Sequence, residues 1–163
     1  MGIDMYSKRN LELFETNLNK DKKGSLLWLL DNTVTAMGGR RLKQWLERPL
    51  LNRFEIENRL NSVSTFLENS YERELLKSLL SSVYDLERLS GRIGFGSVNG
   101  RDLIQLKKSL SNLPELVDIL SSLDNSYLNS LSLNLDLCGD LHNLLERSIL
   151  DDVGLSWLKF FLR

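Results

Sequence analysis

Apolar positions recur through most of this chain in steps of three and four, the spacing that gathers side chains on one face of an α-helix. Leu42, Trp45 and Leu46 form one such stripe, and Pro49 ends it because the residue before a proline is driven out of the α region. Ile56, Leu60, Val63 and Leu67 form a longer stripe, opened by Asn52, which with Glu55 three places on resembles a capping box. Leu75, Leu76, Leu79 and Leu80 mark the next helix, followed by Leu86, Leu89 and Ile93, and then by Leu103, Leu106 and Leu110. Pro114 suits the first turn of a further helix, where its missing N–H costs nothing, with Leu116, Leu120 and Leu123 inside it. Leu141, Leu144, Leu145 and Ile149 complete the series. No helix pair returns at a fixed period, which excludes a solenoid.

The periodicity weakens in three stretches and changes character in a fourth. Residues 1–23 carry short alternation around Leu11-Glu12-Leu13-Phe14 and read as an extended lead-in or a short strand, closing on a polar turn at Lys20-Asp21-Lys22-Lys23-Gly24. Gly91, Gly94, Gly96 and Gly100 crowd together and predict a bend or loop over 91–100. Segment 124–138 alternates weakly through Leu131, Leu133, Leu135 and Leu137 and reads as an extended connection. Residues 151–163 form an apolar tail set apart from the helical unit at 24–150. The pattern predicts an all-α domain, an irregular multi-helix bundle with a short extended N-terminal segment.

One interruption is not demanded by packing. Ser25 can cap a helix over Leu26–Leu30, and a second helix is predicted over Arg40–Arg48. Between them runs Asp31-Asn32-Thr33-Val34-Thr35-Ala36-Met37-Gly38-Gly39. Thr33, Val34 and Thr35 are poor helix formers because branching at Cβ restricts χ1 against the preceding turn. Gly38 and Gly39 open conformations closed to other residues, so the pair predicts a turn. An ordinary helix–helix connection has this composition too; the order of residues is what sets it apart.

Length and charge narrow the classes of function. With 163 residues the chain suits one domain with a real core. A net charge of −1 supplies no global field for nucleic acid or membrane. The lone Cys138 excludes an internal disulfide and fits a reducing compartment. The run Leu26–Leu30 falls far short of the roughly 20 apolar residues of a membrane span, and Met1–Met5 lacks the apolar stretch of a secretory signal. A cytoplasmic protein is expected.

The chemistry of catalysis is missing from the pattern. There is no phosphate-cradling G-x-x-x-x-G-K-[ST], and Gly91-Arg92-Ile93-Gly94 follows no strand. One histidine, His142, and one cysteine cannot assemble a tetrahedral zinc set. Glu68, Glu72 and Glu74 read as a solvated helix face, and Asp151-Asp152 as a pair at a helix end. Arg40, Arg41, Lys43 and Arg48 cluster against Glu47 alone. Arg41, Lys43 and Arg48 are candidate weak contacts to DNA phosphates, although a solvated helix face is the favoured reading of them. Trp45 lies on the apolar stripe with Leu42 and is expected in the core.

The residue order then becomes identifiable. Asn10-Leu11-Glu12-Leu13 is followed by Gly24-Ser25-Leu26-Leu27-Trp28-Leu29-Leu30-Asp31, and then by Thr33-x-Thr35-x-Met37-Gly38-x-Arg40-x-Leu42. Further on come Trp45-Leu46-x-x-Pro49-Leu50, Ile56-x-x-Arg59-Leu60-x-x-Val63, Asp85-Leu86-Glu87-Arg88-Leu89 and Arg101-Asp102-Leu103-x-x-Leu106. Each piece alone is weak, but together and in this order, over roughly residues 8–150, they resemble the core (lever) domain of the bacterial MutS family of DNA mismatch-recognition proteins. Gly100 stands where the family often has proline, and Asp152 to Phe161 does not resemble the family's continuation. The family's Phe-x-Glu mismatch-reading motif, connector domain, DNA clamp and ATPase domain have no counterpart here, so the chain is expected to be a partial core domain from a longer protein.

The resemblance implies a mechanical and allosteric role: coupling the regions that hold mismatched double-stranded DNA to an ATPase domain. On that reading Thr33, Thr35, Met37, Gly38 and Arg40 form an inter-domain joint. ATP and Mg belong to the absent ATPase domain, and no cofactor is expected in this chain. Partners implied through the whole protein are mismatched DNA, a MutL-type protein, its other domains and a second copy in a homodimer. Two other readings stand beside it, a direct double-stranded DNA-binding module and an independent helical scaffold.

Overall fold

The computed structural model describes residues 2–149, and among them lie ten helices and no strand. They are α1 (Met5–Asn10), α2 (Leu26–Leu30), α3 (Ala36–Glu47), α4 (Arg53–Glu68), α5 (Ser70–Ser81), α6 (Leu86–Gly94), α7 (Gly100–Ser111), α8 (Leu113–Ser122), α9 (Ser126–Leu133) and α10 (Gly139–Ser148). The all-α architecture is the one predicted. The apolar tail at 151–163 lies outside the described residues.

Helix ends are set by short polar side chains. Ser25 Oγ accepts the N–H of Trp28 at 3.2 Å and so caps α2 as expected. Asn52 Oδ1 accepts the N–H groups of Phe54 and Glu55 and starts α4, acting as a simple cap. The reciprocal capping box lies instead at α7, where Asn99 Oδ1 takes the N–H of Asp102 and Asp102 Oδ2 takes that of Asn99, both at 2.9 Å. Pro114 sits in the first turn of α8.

Three expectations are corrected. The predicted extended N-terminal segment contains α1, because Asp4 Oδ1 accepts the N–H groups of Tyr6 and Ser7, and its Oδ2 the hydroxyl of Ser7. Residues beyond α1 turn rather than extend, and the carbonyls of Glu12 and Leu13 accept the N–H groups of Leu26 and Leu27. Two donors that α2 leaves open at its start are thereby satisfied. The predicted bend over 91–100 is shorter: Gly91 and Gly94 stay helical in α6, whose ladder continues through the Phe95 N–H to the Gly91 carbonyl. Gly96, at φ +66°, makes the turn. The expected extended connection at 124–138 holds α9, since Asn125 Oδ1 caps it by accepting from Tyr127 and Leu128. Its leucines lie on more than one face, and a short helix of that kind imitates alternation.

The core sits where α6, α7, α10 and the start of α8 meet. Leu89, Leu106, Leu110, Leu113, Leu145 and Ile149 are buried there, with Leu86, Leu103, Ile104, Cys138 and Leu141 packed around them. Polar ties position the neighbouring helices. The hydroxyl of fully buried Ser109 donates to the Gln105 carbonyl, and its oxygen accepts the Tyr84 N–H, fixing the loop before α6 onto α7. Lys107 Nζ lies 3.2 Å from Glu146, joining α7 to α10. Asp102 is buried and accepts from the Arg92 guanidinium at 2.8 Å, which holds α6 to the head of α7.

The α4–α5 pair packs against this core through α8 and α9. Asn125 Nδ2 donates to Thr65 Oγ1 at 2.9 Å, a tie between α9 and α4. The long stripe predicted on α4 is helical but is not in the core: Leu60, Val63 and Leu67 remain 57–68% exposed, and Phe54 and Tyr71 more so. Trimming Leu110 to alanine in the true core is expected to cost about 2–5 kcal/mol, read as a lowered midpoint in chemical denaturation. The same change at Leu67 is expected to cost a small fraction of that.

Candidate functional site

The motif segment between α2 and α3 is organised by its own side chains. Asp31 ends α2, and its Oδ1 accepts the Thr33 hydroxyl at 2.7 Å and the Thr33 N–H at 3.4 Å. Lys22 Nζ lies 3.5 Å from Asp31 Oδ2. The Thr33 hydroxyl, with its N–H and Lys22 adding to it, holds the Asp31 carboxyl below the usual aspartate range against the opposing effect of desolvation. Thr35 has extended backbone and caps α3, its Oγ1 accepting the Gly38 N–H at 2.9 Å. The branching that disfavours helix at Thr33, Val34 and Thr35 thus keeps the link between α2 and α3 non-helical, and the Thr35 hydroxyl gives α3 its cap.

This placement corrects the expected turn at Gly38-Gly39. Helix α3 begins at Ala36, four residues ahead of Arg40, and both glycines lie in its first turns. Their use is spatial. A Cβ on Gly38 would stand 2.9 Å from Thr35 Oγ1 and 3.3 Å from Thr33 Cβ, and one on Gly39 would stand 3.3 Å from Thr33 Oγ1. The glycines let the threonine hydroxyls fold down onto the helix start.

Together these residues line an open groove of about 540 Å³, with walls from Lys22, Leu27, Asp31, Thr33, Val34, Thr35, Ala36, Gly39, Arg40 and Lys43. Of the five residues expected to form a joint, Thr33, Thr35 and Arg40 share this groove. Gly38 sits beneath it as the donor to the Thr35 cap, and Met37 is half-buried on the same turn without lining it.

Arg40 leaves its own helix. Its Nη1 and Nη2 donate to Asp85 Oδ2 and Oδ1 at 2.8 and 2.7 Å, while Nε and Nη2 donate to Glu87 Oε2 at 2.9 and 2.6 Å. Asp85 is also the N-cap of α6, its Oδ1 accepting the Arg88 N–H. The Arg40 guanidinium holds the Asp85 carboxyl below the usual range, outweighing partial burial, and Arg40 itself titrates higher than usual because both carboxylates bind it. Asp85 and Glu87 are partners of Arg40 that sequence reasoning missed. The motif Asp85-Leu86-Glu87 was visible, but nothing local ties it to an arginine 45 residues earlier.

The three candidate phosphate contacts are not gathered. Lys43 lies over the Phe14 ring at 5.4 Å on the groove side, while Arg41 bonds Gln44 and lies 6.0 Å from the Trp45 ring. Arg48 is exposed at the C-cap of α3. Trp45, expected in the core, is 39% exposed: what covers its ring is not an apolar core but the Arg59 guanidinium, which stacks on it at 3.6 Å and ties α3 to α4. That contact was not legible either, since cation and ring come from different helices. Among the described residues no group of three or more histidine, cysteine, aspartate or glutamate side chains could hold a metal ion, and no helix is long and apolar enough to cross a membrane.

Comparison with known proteins decides the family. The family model for MutS domain III matches residues 7–156. The chain belongs to the MutS domain III family. The match runs past the limit near residue 150 set by the resemblance, so the stretch to residue 156, expected to differ from the family, falls within it. The chain is 58% identical over 156 residues to a DNA mismatch repair protein MutS of Geobacillus sp. (strain WCH70), covering 96% of this chain and 18% of that protein. It is 56% identical to the DNA mismatch repair protein MutS of Bacillus cytotoxicus and 54% to that of Bacillus licheniformis, each over 96% of this chain. The chain therefore spans less than a fifth of the length of these relatives.

Two outcomes follow from the site geometry. Gly38→Ala in this MutS domain III chain displaces the Thr35 hydroxyl and is expected to lose about 1 kcal/mol, the worth of an N-cap, measured by urea denaturation. Alanine at Gly91, where a Cβ meets nothing within 4 Å, serves as the control. The second outcome concerns pH. Because the folded pKa of Asp85 is depressed, its contribution is full above the unfolded aspartate value of about 3.9 and is lost as pH falls through the folded value. The stability gap between wild type and Arg40→Met is expected to be constant from neutral pH to about 5 and to shrink below about 4. A gap independent of pH in acid denaturation series would contradict the pairing.

Proposed function

We propose that this chain is a partial core, or lever, domain of a mismatch-repair ATPase, and that it couples the regions holding mismatched DNA to an ATPase domain elsewhere in the polypeptide. The observation that carries the reading is the groove. The motif residues form an open, prearranged surface in which Asp31 and Thr35 are satisfied locally and Arg40 is held by α6, so an adjoining domain can seat there without reordering it. The exposed row on α4 supports the same reading, since Ile56, Leu60, Val63 and Leu67 make a face suited to packing against further helices of a longer protein.

In this reading nucleotide and mismatch each bias one conformational equilibrium, and a stiff packed element links the two sites. ATP and Mg bind to the ATPase domain outside this chain, and the chain itself does no chemistry. Mismatched double-stranded DNA and a MutL-type protein are partners of the whole protein, as are its other domains and a second copy of the chain. The setting is the bacterial cytoplasm.

The test alters the groove in the full-length protein bearing this domain, with Gly39→Leu to fill it and Gly38→Val to displace the Thr35 hydroxyl that forms its wall. Mismatch-stimulated nucleotide exchange is expected to fall by about 2- to 30-fold relative to the basal rate, with nucleotide affinity itself retained. Wild-type stimulation in both variants would refute the joint. If the variants instead weaken duplex binding alone, with a steep inverse dependence on salt, the chain is a direct DNA-binding module acting through Arg41, Lys43 and Arg48.

A further inference from the structure

Arg40 stands on the wall of the motif groove and reaches two carboxylates on the first turn of α6. Four hydrogen bonds of 2.6–2.9 Å engage the planar guanidinium on three nitrogens. The two acceptors differ in kind. Asp85 is largely enclosed, with its side chain 21% exposed, and it caps α6 while it binds Arg40. Glu87 is 72% exposed and braces the guanidinium from outside. One turn beyond the cap, Leu89 is buried in the core against α7 and α10.

We propose that Arg40, Asp85 and Glu87 are positioning residues that carry a shift of the motif segment into the α6–α7–α10 core, with Asp85 as the point of transfer. This rests on the joint reading above and names the residues through which it works. A bidentate fork fixes both distance and orientation between its partners, whereas a lysine ammonium fixes distance alone. Because one carboxylate holds both Arg40 and the α6 cap, α3 cannot move against the core without turning the first residues of α6. The stack of Arg59 on Trp45 also leaves α3, but it leads to α4 and away from this core.

The test compares Arg40→Lys, Asp85→Asn, Glu87→Gln and the Arg40→Lys/Asp85→Asn double variant in the full-length protein bearing this domain. Lysine keeps the charge and loses the fork, and asparagine keeps a good N-cap while losing the charge. Mismatch-stimulated over basal nucleotide exchange is expected to fall by about 2- to 30-fold in Arg40→Lys and in Asp85→Asn. The double variant is expected to fall no further than the worse single one, since both break one link, and Glu87→Gln is expected to fall less. A lowered thermal midpoint with wild-type stimulation would make the three residues structural only and overturn the proposal, as would an additive double variant. Groove-filling variants keep the two readings apart. If they lower stimulation while Arg40→Lys and Asp85→Asn do not, the link fails and the joint stands; if neither set has an effect, both fall.

Discussion

The contact of α6 with α7 and α10 is the constraint to which the rest of the described chain answers. Leu89 enters it from α6, Leu106 and Leu110 from α7, Leu145 from α10, and Leu113 and Ile149 close the edge. Its energy is the ordinary one of apolar surface removed from water, about 25 cal/mol per Å². What it positions is polar. Burying Leu89 fixes the first turn of α6, which fixes Asp85, and Asp85 holds Arg40 and so the motif segment. Burying Leu106 and Leu110 likewise sets Ser109 and Asp102, which hold the loop before α6 and the end of that helix.

Around this core the helices are short and depend on their caps. Asp4, Ser25, Thr35, Asn52, Asp85, Asn99 and Asn125 each accept amide hydrogens at a helix start. Two serve twice, since Asn125 also ties α9 to α4 and Asp85 receives Arg40. A side chain that both starts a helix and bonds a distant one makes local structure and packing depend on each other. That dependence favours discrete arrangements over gradual bending.

The described chain is also open. Large apolar side chains along α4 stay in water, though their spacing is as regular as that of the core helices. Periodicity reports which face of a helix is apolar, not whether a partner covers it. In a family whose relatives are more than five times the length matched here, an uncovered face of this kind is ordinary for one domain considered alone.

Residue order alone was enough for the all-α class, most helix positions, the caps at Ser25 and Asn52, the place of Pro114 and the family. These rest on interactions within a few residues or on the succession of residues along the chain. It misjudged α1 and α9, where a single capping side chain outweighs a weak alternating pattern, and it took Gly38-Gly39 for a turn. Tertiary packing was needed to show that those glycines make room for threonine hydroxyls, that Arg40 pairs with Asp85 and Glu87, and that Trp45 lies under Arg59 instead of in the core. Each of those joins residues from separate elements or depends on space around a backbone. Such distances are set by how helices pack, and no periodicity along the chain encodes them.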